Sequence, residues 1–264
     1  MDLENLCEKV IALVKEVAEF ISEERKNFSS ENIQIKGKHN FVTHVDTGAE
    51  EQLVKGLGMI LPQSGFIAEE GTGSGTDSKY NWVIDPLDGT TNYIHGSPPY
   101  AISVGLMEDN DIMLGVIYEI FSDECFYSFG ESKSYLNGRP IKVSETSAVS
   151  DSLIATGFPY DNFDRMAPFM KSLEHFFTNT HGVRRLGSAA TDLAYVACGR
   201  YDAFYEYNLH AWDVAAGAFI VQQAGGRVGD FQGKGNYIFG KEIVATNGVI
   251  FGEFQSLVDQ LMNQ

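Results

Sequence analysis

The chain has 264 residues, 36 of them acidic and 19 basic, and a formal net charge of −17; this length allows one large domain or two small ones. Hydrophobic residues make up 44% of the sequence and charged residues 21%, a balance that supports a substantial core and argues against extensive disorder. The acidic excess argues against nucleic-acid and anionic-membrane binding, which need a basic face, but bound cations can reverse the local sign of an acidic site.

The first part of the chain is predicted to start with two helices. Apolar residues recur every three or four positions over residues 3–28, which predicts an amphipathic helix. A second helix is predicted to follow Asp46 and to stop before Pro62. Residues 65–68 and 82–84 read as short strands that end in carboxylates, and tight turns such as Asn137-Gly138 predict an antiparallel meander over residues 101–143.

After residue 150 the pattern predicts strands and helices in alternation. Strands are expected at 153–156, 202–205 and 242–246, and helices at 165–177, at 189–198, from Trp212 onward and at 251–262. No linker rich in Gly, Ser or Pro separates the two parts. We therefore expect two segments, 1–150 and 151–264, packed across a shared interface, with most metal ligands in the first.

The most informative segment is Trp82-Val83-Ile84-Asp85-Pro86-Leu87-Asp88-Gly89-Thr90-Thr91-Asn92. A strand delivers Asp85 at its end and Asp88 returns three residues later, so the two carboxylates and the Leu87 carbonyl can bind hard cations. Gly89 allows close backbone approach, and the amides that follow suit a phosphate at a helix start. An Asp-Gly pair alone would be an ordinary surface turn, but the complete run favours the functional interpretation.

Further acidic positions have both a structural and a functional interpretation. Glu69 and Glu70 alone would be a solvated surface pair, whereas beside the Asp85 segment they are candidate ligands of a two-metal site. Asp46 and Asp213 each stand at a helix start, where an N-cap is the ordinary role. A capping carboxylate keeps its second oxygen free for a ligand.

These segments, in this order, resemble the inositol monophosphatase family of metal-dependent sugar-phosphate phosphatases. The likeness runs from the first helix to the last and includes Val42-Thr43-x-x-Asp46, Glu69-Glu70, the Asp85–Asn92 run, Gly187-Ser188-Ala189-Ala190 and Glu206-x-x-x-His210-x-Trp212-Asp213. The resemblance implies a layered αβαβα sandwich of the α+β or α/β class, as in the inositol monophosphatases and fructose-1,6-bisphosphatases. It also implies a homodimer and inhibition by Li⁺.

The same resemblance implies a set of metal ligands. Glu69, Asp85 and the Leu87 carbonyl would hold one Mg²⁺. Asp85, Asp88 and Asp213 would hold a second, and Glu69 would reach a weaker third ion through water. The all-oxygen ligand set supports Mg²⁺ independently, since the six His and three Cys show no paired spacing that would favour Zn²⁺.

Roles in catalysis and substrate binding are implied as well. Asp46 and Thr90, with Glu69, would orient or deprotonate the attacking water, and the amides of Gly89 and Thr90 would face the phosphate. Glu206 would bind a substrate hydroxyl, and Ala189 would line the alcohol side of the pocket. Arg184, beside Arg185, is a candidate substrate contact that could equally be a subunit contact or a solvated surface residue.

One position departs from the family pattern. Members commonly have an acid two residues before the Val-Thr pair, where this chain has Asn40. The change leaves the expected metal ligands intact, but it puts in doubt how the loop over residues 36–40 is held above the site.

The expected function is Mg²⁺-dependent hydrolysis of a phosphate monoester, inositol monophosphate, by metal-activated water. An alternative is a fructose-1,6-bisphosphate or NADP(H) phosphatase on the same fold. A non-enzymatic alternative is a regulatory binding protein that keeps the phosphatase fold. The expected partners are a small phosphorylated substrate and a second copy of the chain, with no nucleic acid and no membrane.

Three widely spaced cysteines without a CxxC motif fit a reducing compartment. The N-terminus is acidic where a signal peptide would be basic, and no apolar run approaches the roughly 20 residues of a membrane span. We expect a soluble, cytoplasmic protein.

Overall fold

Two N-terminal helices, α1 (Leu3–Lys26) and α2 (His44–Ile60), form the first layer of the molecule. The structure is a computed structural model that describes residues 1–27, 33–35, 41–73, 78–160 and 162–263, with the backbone alone at 33–35 and 41–42. As predicted, α1 buries one face, which carries Val10, Val14, Val17 and Ile21. Among the described helices none is both long and apolar enough to cross a membrane.

Helix α2 begins three residues earlier than predicted. Thr43 is its N-cap, and Asp46 occupies the third helical position, from which its carboxylate accepts a hydrogen bond from the Thr43 amide at 2.8 Å. The assignment of Asp46 as the N-cap was therefore wrong. This reciprocal arrangement is a capping box, in which Thr43 and Asp46 each bond the backbone of the other.

The first large sheet has seven strands in chain order. They are β3 (Gly65–Ala68), β4 (Tyr80–Asp88), β5 (Ala101–Glu108), β6 (Asp111–Glu119), β7 (Glu124–Phe129), β8 (Ser134–Leu136) and β9 (Arg139–Ile141). Strand β3 is parallel to β4, and the later pairs are antiparallel, which confirms the predicted meander. At the β8–β9 turn Asn137 and Gly138 have φ values of 49° and 78°, as a type I′ hairpin requires.

The second large sheet has five strands in the order β11-β10-β12-β14-β13. They span β10 (Leu153–Thr156), β11 (Gly182–Arg184), β12 (Ala203–Tyr207), β13 (Arg227–Gly229) and β14 (Glu242–Thr246). Strand β10 is parallel to both of its neighbours, β11 and β12. Strands β11 and β13 were not predicted, because three residues are too few for a periodic signal.

Five further helices complete the layers in the described part of the chain. They are α3 (Thr90–His95), α4 (Met166–Asn179), α5 (Ala189–Ala197), α6 (Ala211–Gln223) and α7 (Phe251–Met262). A short antiparallel pair, β1 (Ile33–Ile35) and β2 (Phe41–Thr43), precedes α2.

The packing of these elements is a layered αβαβα sandwich. One face of the seven-stranded sheet packs on α1 and α2, and its other face packs on α5 and α6, which separate it from the five-stranded sheet. Helices α4 and α7 cover the outer face of the second sheet. The division predicted near residue 150 falls between β9 and β10, and the treatment of the two parts as separate domains stays a prediction.

Candidate active site

An irregularity at the end of β4 presents the first two carboxylates. Asp85 pairs with Ser103 on β5 and Asp88 pairs with Ala101, so β4 holds one residue more than its partner over this stretch. Such a bulge bends the strand and re-aims its side chains. Asp85 is 2% exposed, and its Oδ1 accepts a hydrogen bond from the Leu87 amide at 2.9 Å.

A third carboxylate, that of Asp213, comes from the first turn of α6. Its Oδ2 accepts a hydrogen bond from the amide of His210 at 2.6 Å, and His210 is the N-cap of α6. Asp213 therefore occupies the third helical position, as Asp46 does in α2, and the N-cap interpretation of Asp213 was wrong as well. Its second carboxylate oxygen has no part in this bond.

The start of α5 holds Asp88 in place. The Ser188 hydroxyl and the Ala190 amide donate to Asp88 Oδ2 at 2.6 and 2.7 Å. Ser188 is the N-cap of α5, so a residue from the first sheet is tied to the layer of helices between the sheets. The geometry of the site depends on both parts of the chain.

The three carboxylates form one cluster. One oxygen each from Asp85, Asp88 and Asp213 lie within 4.8 Å of one another. Burial raises the pKa of Asp88 to about 6 and that of Asp213 to about 7, and burial with repulsion from Glu69, Asp88 and Asp213 raises the pKa of Asp85 well above its ordinary value. Three negative charges this close together destabilise one another unless a cation lies between them. An all-oxygen set of this kind fits Mg²⁺.

Two further predicted ligands stand beside this cluster. Glu69 directly follows β3, its amide donates to the Ile84 carbonyl at 3.2 Å, and its side chain lines the same cavity as Asp85. The fully buried carboxylate of Glu50 accepts the amides of Glu70 and Thr72, both at 2.7 Å, which holds the chain after Glu69. Leu87 also lines the cavity.

Asp46 and Thr90 meet beside the cluster. The Thr90 hydroxyl oxygen lies 2.9 Å from Asp46 Oδ1 and 3.1 Å from the Leu87 carbonyl, and its single proton can serve one of these acceptors at a time. Burial raises the pKa of the Asp46 carboxyl, whereas its hydrogen bonds from Thr43 and Thr90 act in the opposite direction. Thr90 lines the cavity, and Asp46 lies behind it, 1% exposed.

A cavity of about 120 Å³ lies over these groups. The first part of the chain contributes Glu69, Asp85 and Leu87 to Thr91 to its lining, and the second part contributes Gly157 to Tyr160, Arg185, Gly187 to Ala189, Glu206 to His210, Trp212 and Asp213. The predicted substrate residues Gly89, Ala189 and Glu206 are all in this lining. Glu206 is 6% exposed, and among the described residues none donates a hydrogen bond to its carboxylate.

The two adjacent arginines have different positions. Arg184 is exposed, donates to the Val183 carbonyl at 3.1 Å and does not line the cavity. Arg185 does line it. The Arg185 guanidinium lies 5.1 Å from the ring centre of Phe158 and 6.0 Å from that of Tyr160, and it donates to the Tyr160 hydroxyl at 3.3 Å. Of this pair, Arg185 is placed to meet a substrate.

Sequence reasoning missed the segment of residues 157–160 and the buried Asp192. Burial and the nearby charge of Glu206 raise the pKa of Asp192 well above its usual range, and neither of its carboxylate oxygens has a hydrogen-bond partner among the residues that the structure describes. A signal for the 157–160 segment did exist. It follows β10, which is parallel to β12, so its first residue falls beside Glu206 at the same sheet edge.

Residues 36–40, with Asn40, and residues 74–77 of the glycine-rich run lie outside the described residues. The expectation about the loop over residues 36–40 therefore stays a prediction.

Known proteins are similar to this chain over nearly its full length. The model of the inositol monophosphatase family matches residues 2–263. An inositol-1-monophosphatase of Mesorhizobium japonicum is 39% identical over 219 residues, which cover 83% of this chain and 82% of that protein. The Nus factor SuhB of Pseudomonas aeruginosa is 40% identical over 225 residues, with 83% of each covered. The crystal structure of the extragenic suppressor protein suhB from Bartonella henselae superposes with a TM-score of 0.90 at 34% identity, covering 96% of this chain and 98% of that one.

Proposed function

Because this chain belongs to the inositol monophosphatase family, we propose that it is a Mg²⁺-dependent phosphatase that hydrolyses inositol monophosphate. The observation that carries the proposal is the cluster of Asp85, Asp88 and Asp213, which lies in one cavity with the carboxylate of Glu206, to which no residue of the described part of the chain donates a hydrogen bond. The cluster would bind cations, which attract a phosphate group. The Glu206 carboxylate would accept a hydrogen bond from a hydroxyl on the leaving alcohol.

We assign the metal ligands as the resemblance implies. Glu69, Asp85 and the Leu87 carbonyl would hold one Mg²⁺, Asp85, Asp88 and Asp213 a second, and Glu69 would reach a weaker third through water. Bound Mg²⁺ supplies Lewis acidity that neutralises phosphate oxygens and lowers the pKa of water. The raised pKa values of the cluster support this assignment, since a bound cation offsets the burial and the mutual repulsion that raise them.

Thr90 and Asp46 would orient the attacking water. When the Thr90 hydroxyl donates to Asp46 Oδ1, its oxygen lone pairs are free to accept a hydrogen bond from a water in the cavity. Asp46 cannot turn away from Thr90, because its other oxygen accepts both the amide and the hydroxyl of Thr43 at 2.8 and 2.6 Å. The amides of Gly89 and Thr90, at the start of α3, would face the phosphate.

The opposite wall would bind the leaving alcohol. Glu206 would accept a hydrogen bond from a hydroxyl of the substrate, and Ala189 would line the same side of the pocket. Arg185 has a fixed positive charge in a cavity that five carboxylates line. A substrate with a second anionic group would meet this guanidinium, so fructose 1,6-bisphosphate and NADP(H) are the substrates to compare.

The test is phosphate release from inositol 1-phosphate, fructose 1,6-bisphosphate and NADP by the purified chain, with Mg²⁺ and then with EDTA. We expect Asp85→Asn and Asp88→Asn to lower kcat by about 10³-fold or more, because each removes a ligand charge from the phosphate site. Asp111→Asn, at an exposed position at the start of β6, is the matched control and should retain activity. Near-normal turnover by the Asp85→Asn variant would refute the proposal.

A second candidate is a regulatory binding protein, which the likeness to a relative named Nus factor SuhB favours. The net charge of −17 opposes direct contact with nucleic acid, so such a role would use a protein partner. Absence of phosphate release across a panel of sugar and nucleotide phosphates would favour this candidate. Mg²⁺-dependent release that Li⁺ inhibits would favour the enzyme.

We also propose a cytoplasmic homodimer. The exposed side chains of Met170 and Phe177 stand seven residues apart on one face of α4 and are 54% and 59% exposed, which supports a contact there. Light scattering should give the mass of two chains. A monomeric mass at micromolar concentration would refute the dimer.

A further inference from the structure

The residue that follows β10, Gly157, lies directly against the side chain of Glu206. A Cβ atom built at Gly157 would stand 2.1 Å from the Cδ, Oε1 and Oε2 atoms of Glu206. Three equal distances mean that the carboxylate lies flat over the glycine Cα. Ordinary van der Waals contact with a Cβ begins at 3.4 Å, so no other residue leaves room for Glu206 in this position.

Backbone conformation does not explain this glycine. Gly157 is absent from the positions with positive φ, so an alanine here would adopt the same backbone without strain. The atoms that a methyl group would meet belong to the end of a flexible side chain rather than to backbone. Substitution would therefore displace the Glu206 carboxylate and leave the fold intact.

The surroundings of Glu206 explain why its position has to be held. No described residue donates a hydrogen bond to the carboxylate, and the charges of Asp213 and Asp88 repel it while Arg185 attracts it. Contact with the main chain of Gly157 therefore fixes the orientation of the Glu206 carboxylate. This carboxylate lies in the lining of the cavity that Thr90 and the three carboxylates of the cluster also line.

We propose that Gly157 is a positioning residue: because it has no side chain, the Glu206 carboxylate can pack directly against its main chain. The resulting position of the carboxylate sets the selectivity for phosphate esters with a hydroxyl near the ester oxygen. The inference rests on the proposed function and deepens it. A methyl group at residue 157 would push the carboxylate by about 1 Å into a cavity of about 120 Å³. A misplacement of this size weakens the hydrogen bond to the leaving group and leaves the metal cluster untouched.

The kinetic test compares two esters with Mg²⁺ present. For Gly157→Ala we expect kcat/KM to fall about 10- to 100-fold with inositol 1-phosphate and to change less than about twofold with p-nitrophenyl phosphate, which has no hydroxyl donor. Glu206→Gln should show a loss of the same kind. The double variant should lose no more than Glu206→Gln alone, because both changes act through one hydrogen bond.

Gly252→Ala in α7 is the matched control, since a Cβ there meets nothing within 4 Å, and it should leave both activities unchanged. Equal loss with both esters in Gly157→Ala, or loss with neither, would overturn the assignment. Additive losses in the double variant would overturn it as well.

The crystal structure of metal-free Gly157→Ala gives a readout without activity. We expect the Glu206 carboxylate to move by about 1 Å or more with the strand positions unchanged. If the Glu206 carboxylate stays in place in this variant, the role proposed for Gly157 is wrong, whether or not the wild-type chain hydrolyses either ester. If the wild-type chain hydrolyses neither ester, the proposed function is wrong, but the role of Gly157 in placing the carboxylate is not.

Discussion

Asp213 illustrates at the scale of one residue how a carboxyl of the proposed metal site destabilises the fold that carries it. Its pKa is raised to about 7, chiefly by burial, whereas an ordinary aspartate has a pKa of 3.8. The metal-free folded chain therefore binds this proton more tightly than the unfolded chain does. Protonation of the Asp213 carboxyl therefore stabilises the metal-free folded state. This contribution is complete below about pH 4 and is lost as the pH rises to about 7.

We expect Asp213→Asn to stabilise the metal-free protein at pH 7.5. The gain should be about 1–3 kcal/mol in the free energy of unfolding and should shrink toward pH 5, because the wild-type carboxyl is then protonated. The amide keeps an oxygen for the His210 amide, so the cap survives. Urea denaturation in EDTA at both pH values measures this. A variant less stable than the wild type at pH 7.5 would contradict it.

The hydroxyl of Thr90 gives a second prediction at this scale. Thr90→Val keeps the shape of the side chain but removes the oxygen that lies 2.9 Å from Asp46. We expect kcat to fall about 10²- to 10⁴-fold with little change in KM, because the step lost is the orientation of water. Thr90→Ser should recover most of the activity. Equal kcat values for the valine and serine variants would rule out the hydroxyl as the acting group.

Individual residues were predictable where their types form a dense local pattern. The run from Asp85 to Asn92 has its proposed ligands within four positions, so the sequence alone suggests its chemistry. Gly157 has no such pattern, because its function lies in the atoms that it lacks and in a side chain 49 positions away. Between Arg184 and Arg185, only the direction of each side chain decides which one meets the cavity.

At the scale of elements, close contact between helix α6 and the seven-stranded sheet brings Asp213 to β4. A Cβ at Gly115, on β6, would lie 2.7 Å from the Ala216 carbonyl oxygen and 3.1 Å from the Ala216 Cα. These are backbone atoms, so relief of the clash requires the helix and the strand to separate. The distance between the layers therefore depends on this glycine.

We expect Gly115→Ala to destabilise the protein by about 1–3 kcal/mol and to lower its affinity for Mg²⁺. The cause of the second effect is the shift of α6, which carries Asp213 away from Asp85 and Asp88. Thermal unfolding with and without Mg²⁺ measures both effects. Gly58→Ala is the control, because a Cβ there meets only Phe66 at 3.7 Å. Unchanged stability in Gly115→Ala would contradict the argument.

Elements were predictable in proportion to their length. The sequence predicts the longer elements α1, α7 and β14, but it does not predict the three-residue strands β11 and β13. The start of α2 was misplaced because Asp46 is an acceptable N-cap by type. Only the geometry shows that Thr43 takes this position and that Asp46 folds back onto it.

For the whole molecule, the site lies where the two parts of the chain meet. Asp85 and Asp88 come from the first sheet, and Asp213 comes from the helical layer between the sheets. Local sequence patterns say nothing about such distant pairing, so the αβαβα order was accessible only through resemblance to a family. The cavity is a property of the complete sandwich.

Mg²⁺ should therefore stabilise the molecule as a unit. We expect the melting temperature of the wild-type chain to rise with Mg²⁺ concentration, since an ion that binds only the folded state stabilises it by mass action. In Asp85→Asn this rise should be lost or strongly reduced. Differential scanning calorimetry, with Asp111→Asn as the control, measures the difference. An equal rise in both variants would place the binding elsewhere.

The late position of Asp213 has a consequence for synthesis on the ribosome. A nascent chain that ends before α6 already has Asp85, Asp88 and the start of α5 that holds Asp88, but it lacks the third carboxylate and the helix that carries it. Such a fragment has no complete pocket for a divalent ion. Under the proposed function, catalytic competence would arise only late in translation, and fragments released by premature termination before α6 would be inert toward cellular phosphate esters.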